Sequence, residues 1–274
     1  MKLLTARLQN TAILLATAAL LSPAAHATKT ICTALADANT GQTLVKQGNC
    51  DERFTPASTF KIAISLMGYD SGFLKDEHAP ALPFKEGYSD WGGANWKQPT
   101  DPQRWITWSV VWYSQVITQA LGEARFRKYL DDLDYGNRDG SGDPVKHDGL
   151  TRAWLSSSLK ISPVEQLAFL RKIVQRKLPV SAHAMEMTSR LTLIEPHPDG
   201  WEIHGKTGSG SPPGPDGKYD ATRAYGWFVG WATRGSRTVL FARLDQDDKE
   251  EAGAPGIRTR DALLKELPAL LTTQ

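Results

Sequence analysis

The sequence predicts a mixed α/β fold of the α+β kind. One antiparallel sheet is assembled from both ends of the chain and flanked by helices, with a mostly helical second lobe between them. Three observations predict it. Strand-type runs cluster at the ends: Thr30–Ala36 and Thr43–Lys46 near the start, then Trp201–Lys206, Tyr225–Thr233 and Thr238–Leu244 near the finish. Between them, roughly residues 57 to 190 read as helices and turns. The chain closes on a helical stretch, Arg260–Leu271. A cleft between two such lobes is a natural place for a site.

Residues 1–27 stand apart. Lys2 and Arg7 give a positive start, Thr11–Leu21 is apolar, Pro23 breaks the run, and Ala25-His26-Ala27 is a small-residue cleavage site. This is the pattern of a secretory signal peptide. The apolar run falls short of the roughly 20 residues that span a bilayer, and no later segment reaches that length. With no cysteine at the cleavage site, the expected product is residues 28–274: a single exported catalytic domain without a membrane anchor.

The 32 basic residues include Lys2 and Arg7, so the 30 that remain equal the 30 acidic ones. A neutral chain without a basic cluster excludes nucleic acid as the main partner. The only cysteines, Cys32 and Cys50, are equidistant from Gly41 in the turn Asn39-Thr40-Gly41-Gln42. A hairpin brings them face to face. In an oxidising compartment a disulfide follows, contributing about 3 kcal/mol for a loop of this size. The alternative is a pair of buried reduced thiols.

The stretch TPASTFKIAISLMGY, Thr55–Tyr69, reads as a helix entering the core. Lys61 is its only charge and lies three residues after Ser58. A helix cap at Ser58 calls for Glu or Gln at position 61. A lysine there is repelled by the helix N-terminus and by burial. Both effects favour the neutral amine, and positions i and i+3 share a face. Ser58 and Lys61 therefore form a nucleophile and base in Ser-x-x-Lys spacing. The same pattern recurs as Ser157-Ser158-Leu159-Lys160, and about one such match is expected by chance. The second copy lacks a long apolar helix after it.

Further along, Ser109-Val110-Val111 reads as a helix fragment, Tyr135-Gly136-Asn137 as a turn and Trp154 as a core residue. Ser162-Pro163-Val164-Glu165 is a capping box with proline at the first helical position, and it starts a helix over Pro163–Gln175. Ser181 caps another. The stretch 200–207 matches the phosphate-loop pattern GxxxxGK[ST]. Its free positions favour a strand, and the prolines that follow allow no helix, so nucleotide binding is not expected. In the alternative reading, Lys206 and Thr207 grip an anion at a strand end and Gly208 lets a ligand approach. Residues 208–220 read as a loop. The six histidines show no metal-ligand spacing, so no metal is expected.

Taken in order, Ser58-Thr59-Phe60-Lys61, Ser109-Val110-Val111, Tyr135-Gly136-Asn137, Trp154 with Leu155–Pro163, Lys206-Thr207-Gly208 and Tyr225-Gly226-Trp227-Phe228-Val229-Gly230-Trp231 resemble the class D β-lactamases. These oxacillinases are a branch of the penicillin-recognising serine enzymes. The resemblance spans nearly the whole mature chain. It implies that Lys61 reacts with carbon dioxide to give N6-carboxylysine, the general base. On the same resemblance Ser58 attacks the β-lactam carbonyl, Trp154 hydrogen-bonds the carbamate, Val111 keeps the pocket dry and Ser109 relays a proton to the leaving nitrogen. The backbone N–H groups of Ser58 and Ser209 form the oxyanion hole. Lys206 and Thr207 bind the substrate carboxylate with an arginine, for which Arg258 is preferred over Arg260. No cofactor is implied beyond carbon dioxide or bicarbonate. The expected partner is a small β-lactam and the expected location the periplasm, as monomer or homodimer. The rival expectation is a β-lactam sensor of the same fold, acylated without turnover.

Overall fold

The computed structural model describes residues 28–194, 200–214 and 218–272. The secretory segment, residues 1–27, lies outside the described residues, as do residues 215–217 of the glycine- and proline-rich stretch. Strands β1 (Thr28–Asp37) and β2 (Thr43–Gly48) form the expected hairpin. Its turn is pinned by Asp37, whose carboxylate accepts from Asn39 N and Thr40 N at 3.0 and 2.7 Å. Gly41 supplies the left-handed φ of +78° that the turn needs.

Cys32 and Cys50 are disulfide-bonded, with 5.0 Å between their Cα atoms. The approach is less direct than symmetry about Gly41 suggests. Cys32 pairs with Gly48 across the ladder, and Cys50 joins from beyond the end of β2. A bulge at Leu35/Ala36 sets this register.

The helical lobe comprises α1 (Lys61–Asp70), α2 (Pro102–Thr107), α3 (Val111–Leu121), α4 (Glu123–Asp132), the single turn α5 (Gly149–Arg152), α6 (Pro163–Val174) and α7 (Ala182–Thr192). The capping box at Ser162 and Glu165 is present, and Ser181 Oγ caps α7 by accepting from Ala184 N at 3.2 Å. Strands β3 (Leu193–Ile194), β4 (Glu202–Gly210), β5 (Tyr225–Arg234) and β6 (Arg237–Asp247) follow, and α8 (Pro255–Thr272) closes the chain. The sheet is antiparallel, in the order β2-β1-β6-β5-β4-β3. The first and last parts of the chain thus share one sheet.

Two boundaries differ from expectation, and both matter to the site. Strand β4 runs on through Gly208-Ser209-Gly210, which pair with Trp227, Gly226 and Tyr225. Glycine content suggested a loop, but ladder pairing with a strong strand overrides local propensity. Helix α8 starts at Pro255 rather than Arg260, because proline is pre-set for a first helical position.

Side chains of β5 alternate between two cores, as a period of two requires. Tyr225, Trp227, Val229 and Trp231 join the large cluster under the helical lobe. Phe228 and Ala232 face Leu263, Leu267 and Leu271 of α8. Among the described residues, no helix is long and apolar enough to cross a membrane, and no cluster of His, Cys, Asp and Glu could hold a metal ion.

Candidate active site

Ser58 stands in a 3-10 turn, Ala57–Phe60, that runs straight into α1. Ala57 is held at φ +49°, a strained value for a residue with a Cβ. Its N–H donates to the Trp154 carbonyl at 3.1 Å. The turn is fixed from several sides. Thr59 Oγ1 donates to Pro56 O at 2.7 Å and accepts from Gln166 Nε2 at 3.1 Å. Trp227 Nε1 donates to Thr55 O at 3.1 Å, and the Thr55 and Tyr225 hydroxyls touch.

One helical turn on, Lys61 Nζ donates to Ser58 Oγ at 3.0 Å. Lys61 is fully buried, and no carboxylate pairs with it among the described residues. Burial pushes its pKa well below the ordinary lysine value, and the charge of Lys206 adds to the effect. An amine in this state can accept the Ser58 proton.

Phe60, which precedes Lys61, belongs with Val111 and Trp154 to the main apolar cluster, and the Phe60 and Trp154 rings are 5.5 Å apart. Trp154 is completely buried, and its Nε1–H has no hydrogen-bond partner among the described residues. Such a donor costs about 1–3 kcal/mol in desolvation unless an acceptor arrives. Ser109 occupies the turn between α2 and α3 at φ +55°, and Val111 opens α3, which packs on α1.

Strand β4 forms the opposite wall. A Cβ on Gly208 would stand 2.8 Å from Pro56 O and 3.1 Å from Thr59 N, so only glycine allows β4 this close to the nucleophile turn. Lys206 is buried; burial and then the charge of Arg260 bring its pKa down to about 7. Its Nζ donates to Thr207 O at 3.1 Å. Ser209 is exposed on the strand, and its hydroxyl accepts from Gly256 N of α8 at 3.0 Å.

Arg258, the sequence-based choice for the substrate carboxylate, is committed elsewhere. It donates to the Ala252 and Gly253 carbonyls, both at 2.7 Å, and pairs with Asp247. Arg260 is the arginine whose charge reaches Lys206. Helix geometry accounts for the different placements of the two arginines. Gly256 packs on Gly208, residue 260 lies four positions on and shares that face, and residue 258 lies far around the helix.

The Tyr135-Gly136-Asn137 turn positions the Trp154 loop. Asn137 Oδ1 accepts from Lys160 N at 2.9 Å, and its Nδ2 donates to Ser158 O at 2.8 Å. Within the second Ser-x-x-Lys copy, Ser157 to Lys160, the Lys160 backbone is held by Asn137 and the intervening Ser158 Oγ donates to Asp139 O. The phosphate-loop match lies mostly within β4.

A serine whose hydroxyl meets a buried lysine one helical turn on, facing a second lysine across a glycine-walled cleft, defines a penicillin-recognising serine enzyme. The family described as "Penicillin binding protein transpeptidase domain" matches residues 31–268. The chain is 44% identical to β-lactamase OXA-9 of Klebsiella pneumoniae over 241 residues, covering 88% of each. It is 40% identical to β-lactamase OXA-1 of Escherichia coli, covering 73% of this chain and 70% of that one. The crystal structure of OXA-427 class D β-lactamase superposes with a TM-score of 0.83 at 50% identity, over 88% of this chain and 98% of that one. The chain belongs to the class D β-lactamases.

Proposed function

We propose that this β-lactamase destroys penicillin-type antibiotics through an acyl-enzyme at Ser58, with Lys61 carrying a carbamate as the general base. The observation that supports the carbamate is a pair of unmet demands around one turn. Lys61 is buried with a depressed pKa, and the N–H of Trp154, whose ring packs on Phe60 and whose carbonyl accepts from Ala57 N, has no acceptor among the described residues. When bound to the Lys61 amine, carbon dioxide supplies an anionic oxygen acceptor and base. The residues present fit that group: a neutral amine to receive it, an indole donor to hold it, and an apolar wall including Val111 to keep water away.

Ser58 Oγ gives its proton toward position 61 as it attacks the carbonyl carbon. The ring C–N bond breaks, and Ser109 passes a proton to the departing nitrogen. The carbonyl oxygen sits against the Ser58 and Ser209 N–H groups, where fixed donors favour developing charge. Position 61 then activates the water that cleaves the Ser58 ester. Lys206, Thr207 and Arg260, in place of Arg258, receive the substrate carboxylate.

Secretion fits residues 1–27 and the Cys32–Cys50 disulfide, and the periplasm is the proposed location for the mature chain, as monomer or homodimer. An N-terminus at Thr28 in the secreted protein tests the cleavage. The activity is tested by following ring opening with a hundredfold excess of a penicillin in bicarbonate buffer. Sustained turnover is expected. A burst that stops near one equivalent would instead indicate the sensor.

A further inference from the structure

We infer that Arg258 is a positioning residue: it latches the 248–254 loop to Asp247, fixing where α8 starts against β4 and so where Arg260 stands. The inference rests on the β-lactamase reading above.

Asp247 ends β6, and its side chain is only 2% exposed. It accepts from Thr28 Oγ1 at 2.9 Å, and its N–H donates to Ala224 O at 2.8 Å. One buried residue therefore ties together the first strand, the end of the loop entering β5, and Arg258. The Arg258 guanidinium meets three acceptors at once: the carboxylate and the carbonyls of Ala252 and Gly253. A planar fork of donors reaches several acceptors in fixed geometry, which an ammonium on a flexible stem does not.

The residues on either side of Arg258 leave little room for movement. A Cβ on Gly256 would stand 2.5 Å from Gly208 O, and a Cβ on Gly226 would stand 2.4 Å from both Pro255 O and Thr259 Oγ1. Gly256 N is also bonded to Ser209 Oγ. The first turn of α8 thus touches the strand that carries Ser209, and Arg260 extends from the same face. The latch takes up the loop on the far side of the helix and holds that first turn down.

The test uses the mature enzyme and steady-state kinetics with a penicillin. Arg258→Ala should raise KM about tenfold, the loss expected when one charged hydrogen bond to substrate is misplaced, with kcat little changed. Arg260→Ala should raise KM as well. The double variant should be no worse than Arg260→Ala alone, because Arg258 acts through Arg260. The rise of KM with pH, set by Lys206, should also move to higher pH in Arg258→Ala as the Arg260 charge withdraws. Arg258→Lys keeps the charge beside Asp247 and carries the test if the alanine variant does not fold; its KM should rise by a smaller factor. Wild-type KM in the variants, or effects of Arg258 and Arg260 that multiply independently, would overturn the latch. A wild-type enzyme that opens no β-lactam would overturn the reading beneath it, and the latch with it.

Discussion

Replacing Trp154 with Phe isolates the unpartnered N–H. The substitution keeps an aromatic ring against Phe60, now 5.5 Å away, and leaves the backbone carbonyl that accepts from Ala57 N. What it removes is a fully buried donor with no partner. In carbon dioxide-free buffer that donor contributes only its desolvation cost, about 1–3 kcal/mol, which offsets much of the cavity left by the smaller ring. With a carbamate present, the donor becomes a hydrogen bond to a charged group, worth about 1.5–3 kcal/mol. The variant should therefore need about 10 to 100 times more bicarbonate for half-maximal activity, at 1.36 kcal/mol per factor of ten. The assay is initial rate against bicarbonate concentration in degassed buffer, for wild type and variant. A stability readout accompanies it: the rise in melting temperature on adding bicarbonate should be smaller in the variant, since a ligand stabilises only as far as it binds. Identical half-saturation would refute the assignment of Trp154 as carbamate donor.

The other expectations follow from single geometric facts. Activity should fall as pH drops and recover with bicarbonate: the depressed Lys61 is neutral above its folded pKa and protonated below it, and only the neutral amine takes up carbon dioxide. KM for a carboxylate-bearing penicillin should rise as pH passes upward through about 7, where free Lys206 loses its charge, and a flat KM profile would remove Lys206 from substrate binding. Gly208→Ala places a methyl group 2.8 Å from Pro56 O and should lower kcat at least as much as it raises KM, as single-turnover kinetics would show. Loss of the disulfide in a Cys32→Ala/Cys50→Ala variant should cost about 3 kcal/mol on chemical denaturation while leaving kcat near wild type, because the bond staples β1 to the segment just after β2 and includes no residue of the Ala57–Lys61 turn.

How much of this was legible in the sequence depends on the kind of signal involved. The sheet from both termini, the capping box at Ser162 and the Ser58–Lys61 pair follow from local spacing, and each is present in the fold. Ser58 could be singled out because a lysine is wrong for a helix start, and that wrongness is visible without coordinates. Gly208-Ser209-Gly210 was read as loop because a strand can be specified by its neighbour's pattern, here β5. Arg258 was preferred for its place after a glycine and an apolar residue. Gly256 and Arg260 are four apart, so the helical period held the better choice once the helix was known to start at Pro255. Nothing local marks Ala57 as left-handed or Trp154 Nε1 as unpaired. Both depend on segments almost 100 residues apart meeting at one turn.

Arg260 pairs with Asp261, and the charges around Ser58 bear on why no carboxylate pairs with either lysine among the described residues. Burial lowers both lysines first; the charge of Arg260 adds to it at Lys206, and the charge of Lys206 adds to it at Lys61. Three basic groups thus stand in sequence from the mouth of α8 to the nucleophile, and neither lysine has a carboxylate partner among the described residues. An internal Asp or Glu would pair with the lysines and raise their pKa values, leaving Lys61 protonated and useless as a base. Leaving them unpaired costs stability but holds Lys61 neutral in the resting pocket. Two anions could still be received there. One fits beside Lys206 and Arg260, where a substrate carboxylate would sit; the other fits at Lys61, where Trp154 waits with an unused donor. Either anion would raise the Lys206 pKa from about 7 and hold that lysine charged, which offsets the repulsion between the two anions. Lys206 would thus gain its full charge only with an anion beside it.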